Sequence, residues 1–271
     1  MSTALAANKD SLGPAEPRQW RCRVAAAFSR AAGQYTRLAR AQQLMGNALW
    51  PLLPEQAGRV LDLGCGPGHW SRRLSVRYGP DCRVLGLDLA PGMLQVARHR
   101  APTGLDWLCG DAAQLPLAAS QFDLVFSNLA IQWCPDLDAV MAELHRVLRP
   151  GGRAVINSLG PGTLGEVGQA WSSPATLLAF RTRESHLASA HLAGFIRVEC
   201  CESRERFHYP DLTAVMASIK GVGAQTTHAV HRLTRRDMER AACRYESLRE
   251  AAGLPVSYQR LTLVLDKEPQ A

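Results

Sequence analysis

The feature that most limits the fold is an alternation of short apolar segments with longer amphipathic ones across residues 59–159. The apolar segments are rich in Val, Leu and Phe, as strands buried on both faces of a sheet are: RVLDLG, CRVLGLDL, DWLCGDA, FDLVFSNL and RAVINSL. Helical patterns separate them, among them HWSRRLSVRYG and DLDAVMAELHRVLRPGG. Strands that alternate with helices predict a parallel sheet covered by helices on both faces.

The flanking segments extend this prediction. Residues 21–50 show apolar spacings of three and four, which predicts one or two amphipathic helices ending before Pro51. Beyond residue 160 the alternation weakens, although FIRVECCESRERFHY and LTLVL still resemble strands. We expect an α/β fold with a Rossmann-like, mostly parallel sheet of seven strands and helices on both faces. We also expect N-terminal helices, and a helical insertion after the fifth strand that forms a lid.

The same patterns predict one domain behind a disordered tail. The tail covers residues 1–18, and the single domain covers 19–271. Within the domain we expect four parts: N-terminal helices at 19–54, a ligand-binding core at 58–160, a cap with later strands at 161–235, and a C-terminal helix and strand at 236–271.

Composition excludes several classes of protein. The formal net charge is +7, which suits an acidic partner but equally reflects an arginine-rich coding bias. No nucleic-acid-binding motif occurs, and no apolar run approaches the roughly 20 residues of a membrane span. The eight cysteines form no C-x-x-C pair, which favours reduced thiols and argues against a metal site. We expect a cytoplasmic monomer without nucleic-acid or membrane partners.

The glycine-rich turn in VLDLGCGPGHW, residues 60–70, indicates a nucleotide-like ligand. Its G-x-G-x-G pattern differs modestly from the G-x-G-x-x-G of dinucleotide sites. Asp62 would repel a pyrophosphate and attract a ligand that carries an ammonium and a sulfonium. Asp88 ends the second strand, where an acid suits the hydroxyls of a ribose in either ligand. Met93 is placed to lie against an adenine, and Asp111 to accept from its amino group.

In order and spacing, these motifs resemble those of the class I S-adenosylmethionine-dependent methyltransferases, and ELHRVLRPGG is another widespread feature of that family. The resemblance implies S-adenosylmethionine as the cofactor and assigns residues to its parts. Those at the methionine part are Asp62, Gly64, Cys65, Gly66 and Gly68, with Asn128 below it. Those at the ribose and adenine are Asp88, Leu89 and Met93, with Asp111 and Ala112 at the adenine edge.

More specific segments resemble one subfamily, the malonyl-[acyl-carrier protein] O-methyltransferases of biotin synthesis: AFSRAAGQYTRLARAQQ, SNLAIQW and SIKGVGA. The resemblance implies methylation of the free carboxylate of a malonyl thioester, carried by acyl carrier protein or coenzyme A. Two alternatives remain. The chain could methylate another small carboxylate or a quinone precursor, or it could be a non-catalytic methyltransferase-like binding subunit.

The expected reaction needs no catalytic acid or base, because a carboxylate is already ionised at neutral pH. It needs positioning and desolvation, and an arginine is the preferred partner for a carboxylate. Arg146 is the first candidate and Lys220 the second, while Tyr35 and Trp133 are candidates to line the substrate path. An acidic carrier would dock on basic residues, for which we expect Arg181, Arg183, Arg235 and Arg236.

Overall fold

The protein is described by a computed structural model that covers residues 16–100, 104–171, 179–220 and 235–270. Its centre is a seven-stranded sheet with the order β3-β2-β1-β4-β5-β7-β6. Strands β1 to β5 are parallel, and β7 runs antiparallel to both of its neighbours. The strands are β1 Arg59–Leu63, β2 Arg83–Asp88, β3 Leu105–Cys109, β4 Phe122–Asn128, β5 Leu148–Leu159, β6 Arg197–Tyr209 and β7 Leu254–Asp266.

Helices follow most of the strands. In the described part of the chain they are α1 Glu16–Leu38, α2 Arg40–Asn47, α3 His69–Tyr78, α4 Pro91–Arg100, α5 Leu137–Val147, α6 Gly165–Trp171, α7 Arg183–Leu192, α8 Leu212–Lys220 and α9 Arg235–Glu246, with 3-10 turns at Trp50–Leu52 and Ile131–Trp133. No helix among these residues is long and apolar enough to cross a membrane. The expected sheet of seven mostly parallel strands between helices is confirmed.

Helix α5 illustrates how local sequence produces these elements. The Asp136 side chain accepts from the Ala139 amide at 2.9 Å and caps the helix N-terminus. The apolar residues then recur at helical spacing and all are buried: Leu137, Val140, Met141, Leu144 and Val147. This face packs with Leu61, Leu63 and Val125 into the largest core cluster. Helix α3 closes the opposite face of the sheet through Trp70 and Leu74.

Helices α1 and α2 lie over the carboxyl ends of the central strands. Asn157 at the end of β5 donates from Nδ2 to the Met45 carbonyl at 2.9 Å, and Asn128 at the end of β4 donates to the Gln42 carbonyl at 3.0 Å. Ala41 and Met45 are buried in the same contact. These two asparagines fix α2 above the edge of the sheet where ligands bind in open α/β folds.

Two predicted boundaries differ from the structure. Helix α1 begins at Glu16, inside the range expected to be tail, because Pro17 suits the first turn of a helix. Helix α5 ends at Val147 instead of continuing through the RPGG segment, and β5 begins at Leu148, which pairs with Phe122. The expected cap, residues 161–235, contains α6, α7 and α8, and part of it, residues 172–178 and 221–234, lies outside the described residues.

Candidate functional site

The turn between β1 and α3 is built from glycines in the left-handed region. Gly64, Gly66 and Gly68 have φ of 71°, 53° and 77°, values that L side chains rarely adopt. A Cβ on Gly64 would lie 2.2 Å from the Ala130 Cβ, so glycine is also required there for close packing. A Cβ on Gly66 would meet nothing within 4 Å. Gly66 thus offers a bare backbone to a ligand.

Asp88 fastens this turn to the tip of β2. Its Oδ2 accepts from the Gly66 amide and its Oδ1 from the Ala90 amide, both at 2.8 Å. Burial raises the pKa of Asp88, and the backbone amides of Ala90, Gly66 and Leu89 oppose that rise. Each carboxylate oxygen keeps lone pairs for further donors such as ribose hydroxyls.

A cavity opens at the carboxyl ends of β1, β2 and β4, and its empty volume is about 770 Å³ including the mouth. Its lining includes Met93, Asp111, Asn128 and Trp133. The glycine turn and β2 with the residue after it also line the cavity, through Gly64, Gly66, Leu87, Asp88 and Leu89.

Helix α1 forms the roof of this cavity. Arg21 donates to the Asp111 carboxylate at 2.5 Å across the cavity wall. The Trp20 indole donates to the Trp133 carbonyl at 2.8 Å, and the ring of Phe28 packs edge-on against Trp133 at 5.3 Å. Since Arg21, Phe28 and Tyr35 all line the cavity, one face of α1 covers it along several turns.

A smaller compartment adjoins the cavity beneath α2. The two share Tyr35, Gly64, Gly66 and Asn128. The smaller one is further lined by Thr36, Ala39, Gln42, Gln43, Cys65, Pro67, His69 and Trp70. A ligand that reaches from Met93 past Gly64 would place its far end in this compartment.

Burial keeps two titratable side chains of the cavity protonated. Burial raises the pKa of the Tyr35 hydroxyl well above its usual range, and nearby Asp88 raises it further. Burial likewise raises the pKa of the Cys134 thiol to about 12. Both side chains are therefore protonated at neutral pH.

The structure brings most of the predicted cofactor residues to the cavity. Eight line it directly: Gly64, Gly66, Asp88, Leu89, Met93, Asp111, Ala112 and Asn128. Cys65 lines the smaller compartment instead. Asp62 and Gly68 are not among the residues lining either space. Asp62 lies buried beneath the turn and accepts from the Ser71 hydroxyl at 2.5 Å.

The predicted substrate residues divide in the same way. Tyr35 and Trp133 line the cavity, whereas Lys220 is exposed at the end of α8. Arg146 is not among the residues that line the cavity, and its assignment as a substrate contact stays a prediction. Its guanidinium pairs with Glu143 at 2.7 Å and donates to the carbonyls of Leu117 and Leu115. Those contacts hold the loop before β4 against α5.

Arg21 is a cavity residue that the sequence analysis missed. Val24, Phe28 and Tyr35 follow the apolar spacing of three and four in residues 21–50, and all three line the cavity. Arg21 lies three residues before Val24, on the same face of the helix. Extending the apolar periodicity one step toward the N-terminus would have found it.

The donor and acceptor pattern of the cavity suits S-adenosylmethionine. Asp88 supplies acceptors for a diol, and Asp111 supplies one for an amine. Met93 and Leu89 provide apolar surface for an adenine. The exposed backbone at Gly66 permits close approach, and two carboxylates favour a ligand with positive charge.

Comparisons with known proteins agree with this geometry. The Methyltransferase domain family matches residues 61–156. The chain is 37% identical over 254 residues to malonyl-[acyl-carrier protein] O-methyltransferase of Herminiimonas arsenicoxydans, covering 90% of this chain and 95% of that one. It is 39% identical over 253 residues to the biotin biosynthesis bifunctional protein BioHC of Cellvibrio japonicus, covering 90% of this chain. The match spans 50% of that bifunctional protein.

Among solved structures, a similar fold is that of phosphoethanolamine N-methyltransferase 2 of Haemonchus contortus in complex with S-adenosyl-L-methionine. The TM-score is 0.59 at 20% identity, and the match covers 89% of this chain and 57% of that one. At this identity the likeness concerns the fold. It is the fold predicted from the alternation of strands and helices.

Proposed function

The chain belongs to the malonyl-[acyl-carrier protein] O-methyltransferase family, and we propose that it transfers a methyl group from S-adenosylmethionine to the free carboxylate of a malonyl thioester. The product is the malonyl methyl ester, which would open biotin synthesis. The observation that carries the proposal is the cavity roofed by α1. It is lined by eight of the predicted cofactor residues and by the aromatic rings of Phe28 and Trp133.

Residues that line the cavity would hold the cofactor. Asp88 would accept from the ribose hydroxyls, Asp111 would lie at the adenine amino group with Met93 against its ring, and Gly64 and Gly66 would adjoin the methionine part. S-adenosylmethionine supplies an electrophilic methyl carbon bonded to a sulfonium. The remaining work of the protein is to orient the acceptor and exclude water.

The titratable groups that line the cavity support an acceptor that arrives already ionised. They are Arg21, Tyr35, Asp88, Asp111 and Cys134. The two acids accept backbone or arginine hydrogen bonds, and Tyr35 and Cys134 remain protonated. None of them is a free base at neutral pH. A malonyl carboxylate is itself the nucleophile and needs no proton removed.

The chain's contribution would be positioning and desolvation. Phe28, Ile131 and Trp133 form an apolar wall that would strip water from the carboxylate, since a hydrated carboxylate is a poor nucleophile. The protonated Tyr35 hydroxyl, which belongs to the lining of the same cavity, would donate to it. Alignment of this kind can supply about 7 to 11 kcal/mol of the barrier reduction.

Carrier-bound malonate is the proposed form of the acceptor. Arg181 donates to the carbonyls of Cys134 and Pro135 at the cavity wall, and the exposed Arg183 begins α7 beside it. Both arginines would therefore face a carrier whose arm enters the cavity. Arg236 is exposed on α9, and the Arg235 side chain lies outside the described residues.

Methyl transfer from tritiated S-adenosylmethionine tests the proposal. We expect label in a base-labile ester when malonyl-acyl carrier protein is the acceptor. Malonyl-coenzyme A, other small carboxylates and a quinone precursor serve as competing acceptors. Label in another small carboxylate or in the quinone precursor, and in neither malonyl thioester, would overturn the acceptor. An absence of transfer to every acceptor, with the cofactor bound, would favour a binding subunit.

A further inference from the structure

The Gln42 side chain presents an unpaired oxygen at the smaller compartment. Its Oε1 is buried and has no hydrogen-bond partner, and Gln42 lines the compartment together with the glycine turn. Leaving such an oxygen without a donor costs about 1 to 3 kcal/mol. Gln132 has the other unpaired buried side-chain oxygen in the described residues, but it lines neither space.

The position of Gln42 is fixed by its helix. Its own carbonyl accepts from Asn128, and the Met45 carbonyl accepts from Asn157. On the other side, Gly46 packs so closely on Trp70 that a Cβ there would lie 2.0 Å from the indole. With α2 held from both sides, the amide of Gln42 is preorganised above the turn.

The backbone N–H groups of the glycine turn already donate hydrogen bonds within the protein. The amides of Gly64 and Cys65 both donate to the Leu87 carbonyl. The Gly66 amide donates to Asp88, and the Gly68 amide to the Cys65 carbonyl. Residue 67 is proline and has no N–H. A carboxylate next to this turn must therefore find its donors elsewhere.

We propose that Gln42 binds the amino-acid end of S-adenosylmethionine. Its Oε1 accepts from the ammonium, and its Nε2 donates to the carboxylate. A side-chain amide is suited to a zwitterion because it offers both an acceptor and two donors. The ammonium would supply the hydrogen bond that Oε1 lacks. This inference rests on the cofactor of the proposed function and is independent of the methyl acceptor.

Binding measurements with two products of the cofactor test the role. S-adenosylhomocysteine retains the amino-acid end, and 5′-methylthioadenosine lacks it. We expect Gln42→Met to raise the Kd of S-adenosylhomocysteine about tenfold or more and to leave the Kd of 5′-methylthioadenosine within about twofold. Equal weakening of both, or no change for S-adenosylhomocysteine, would overturn the proposal.

Two further variants keep the test decisive. Leu44→Gln, at an exposed position of the same helix, should bind both ligands like the wild type. If Gln42→Met fails to fold, Gln42→Glu is measured instead. It keeps an acceptor oxygen and the side-chain shape, but its negative charge repels the carboxylate of the ligand. It should weaken S-adenosylhomocysteine more than decarboxylated S-adenosylmethionine, and equal effects would overturn the proposal. Failure of the wild type to bind S-adenosylhomocysteine would instead overturn the cofactor itself.

Discussion

The backbone amide of Gly66 donates to the Asp88 carboxylate at 2.8 Å, which ties the glycine turn to the tip of the neighbouring strand. One side chain thus shapes the turn and also faces the cavity. The structural and the binding role of Asp88 are inseparable in the fold, but ligands that share only part of the cofactor can distinguish Asp88 from Gln42.

Replacing Asp88 with asparagine should weaken every ligand that carries the ribose. Asparagine keeps one acceptor oxygen but directs an NH₂ group at an amide or a hydroxyl, which leaves donors facing each other. We expect the Kd of S-adenosylhomocysteine and of 5′-methylthioadenosine to rise together, by about tenfold or more. Isothermal titration measures both, with Asp106→Asn on the exposed side of β3 as control. A selective loss of S-adenosylhomocysteine would contradict the ribose assignment.

Replacing Gly64 with alanine should destabilise the whole turn. The φ of 71° costs an L residue about 1 to 2 kcal/mol, and contact with the Ala130 Cβ adds about 1 to 3 kcal/mol. Urea unfolding measures the loss. In the double variant with Ala130→Gly, the steric part should be recovered and the backbone part should remain. Additive effects of the two substitutions would show that the Ala130 contact is not the cause.

The sequence alone predicted the sheet and most of the residues that line the cofactor cavity. Buried parallel strands produce continuous apolar runs in the sequence. The residues at their carboxyl ends meet at one edge of the sheet, independently of the loop conformations. This is why Asp88 and Asp111 could be placed from β2 and β3. Contacts between distant elements left no such pattern. The pairing of Arg146 with Glu143 and the Arg21 contact to Asp111 depend on how helices pack, which local spacing does not determine.

Asp62 should make stability depend on pH. Burial raises its pKa from 3.8 to about 7, and the Ser71 hydrogen bond partly opposes this. Between those values the folded protein holds a proton that the unfolded chain has released, so the free energy of unfolding falls as pH rises. At about 1.4 kcal/mol per pKa unit, the fall reaches about 4 kcal/mol and levels off above pH 7.

The comparison with Asp62→Asn isolates this contribution, because asparagine has no proton to release. Urea unfolding of both proteins at pH 5 and pH 8 gives the measurement. The stability of the wild type relative to the variant should be lower at pH 8. The same difference at both pH values would mean that Asp62 is ionised throughout or that its environment is more polar than its burial implies.

Charge reversal at the predicted docking arginines should impair use of the carrier protein selectively. Arg183→Glu combined with Arg236→Glu should raise the KM for malonyl-acyl carrier protein about tenfold, since steering by opposite charge changes encounter rates by at least that much. The KM for malonyl-pantetheine, which lacks the carrier, should stay within about twofold. High salt should reduce the difference. Arg83→Glu, exposed at the amino end of β2, is the matched control, and equal effects at both places would exclude a specific docking face.

Substitutions at Arg146 and Tyr35 should have opposite effects, one on the free energy of unfolding and the other on the KM for the malonyl thioester. Arg146→Met removes the partner of Glu143 and two donors to backbone carbonyls, so we expect a loss of about 1 to 3 kcal/mol in unfolding free energy with an unchanged KM for the malonyl thioester. Tyr35→Phe removes the hydroxyl from the cavity and should do the reverse, raising the KM about tenfold at nearly constant stability. A raised KM in Arg146→Met, at a temperature where the variant is fully folded, would support Arg146 as the group that binds the acceptor carboxylate.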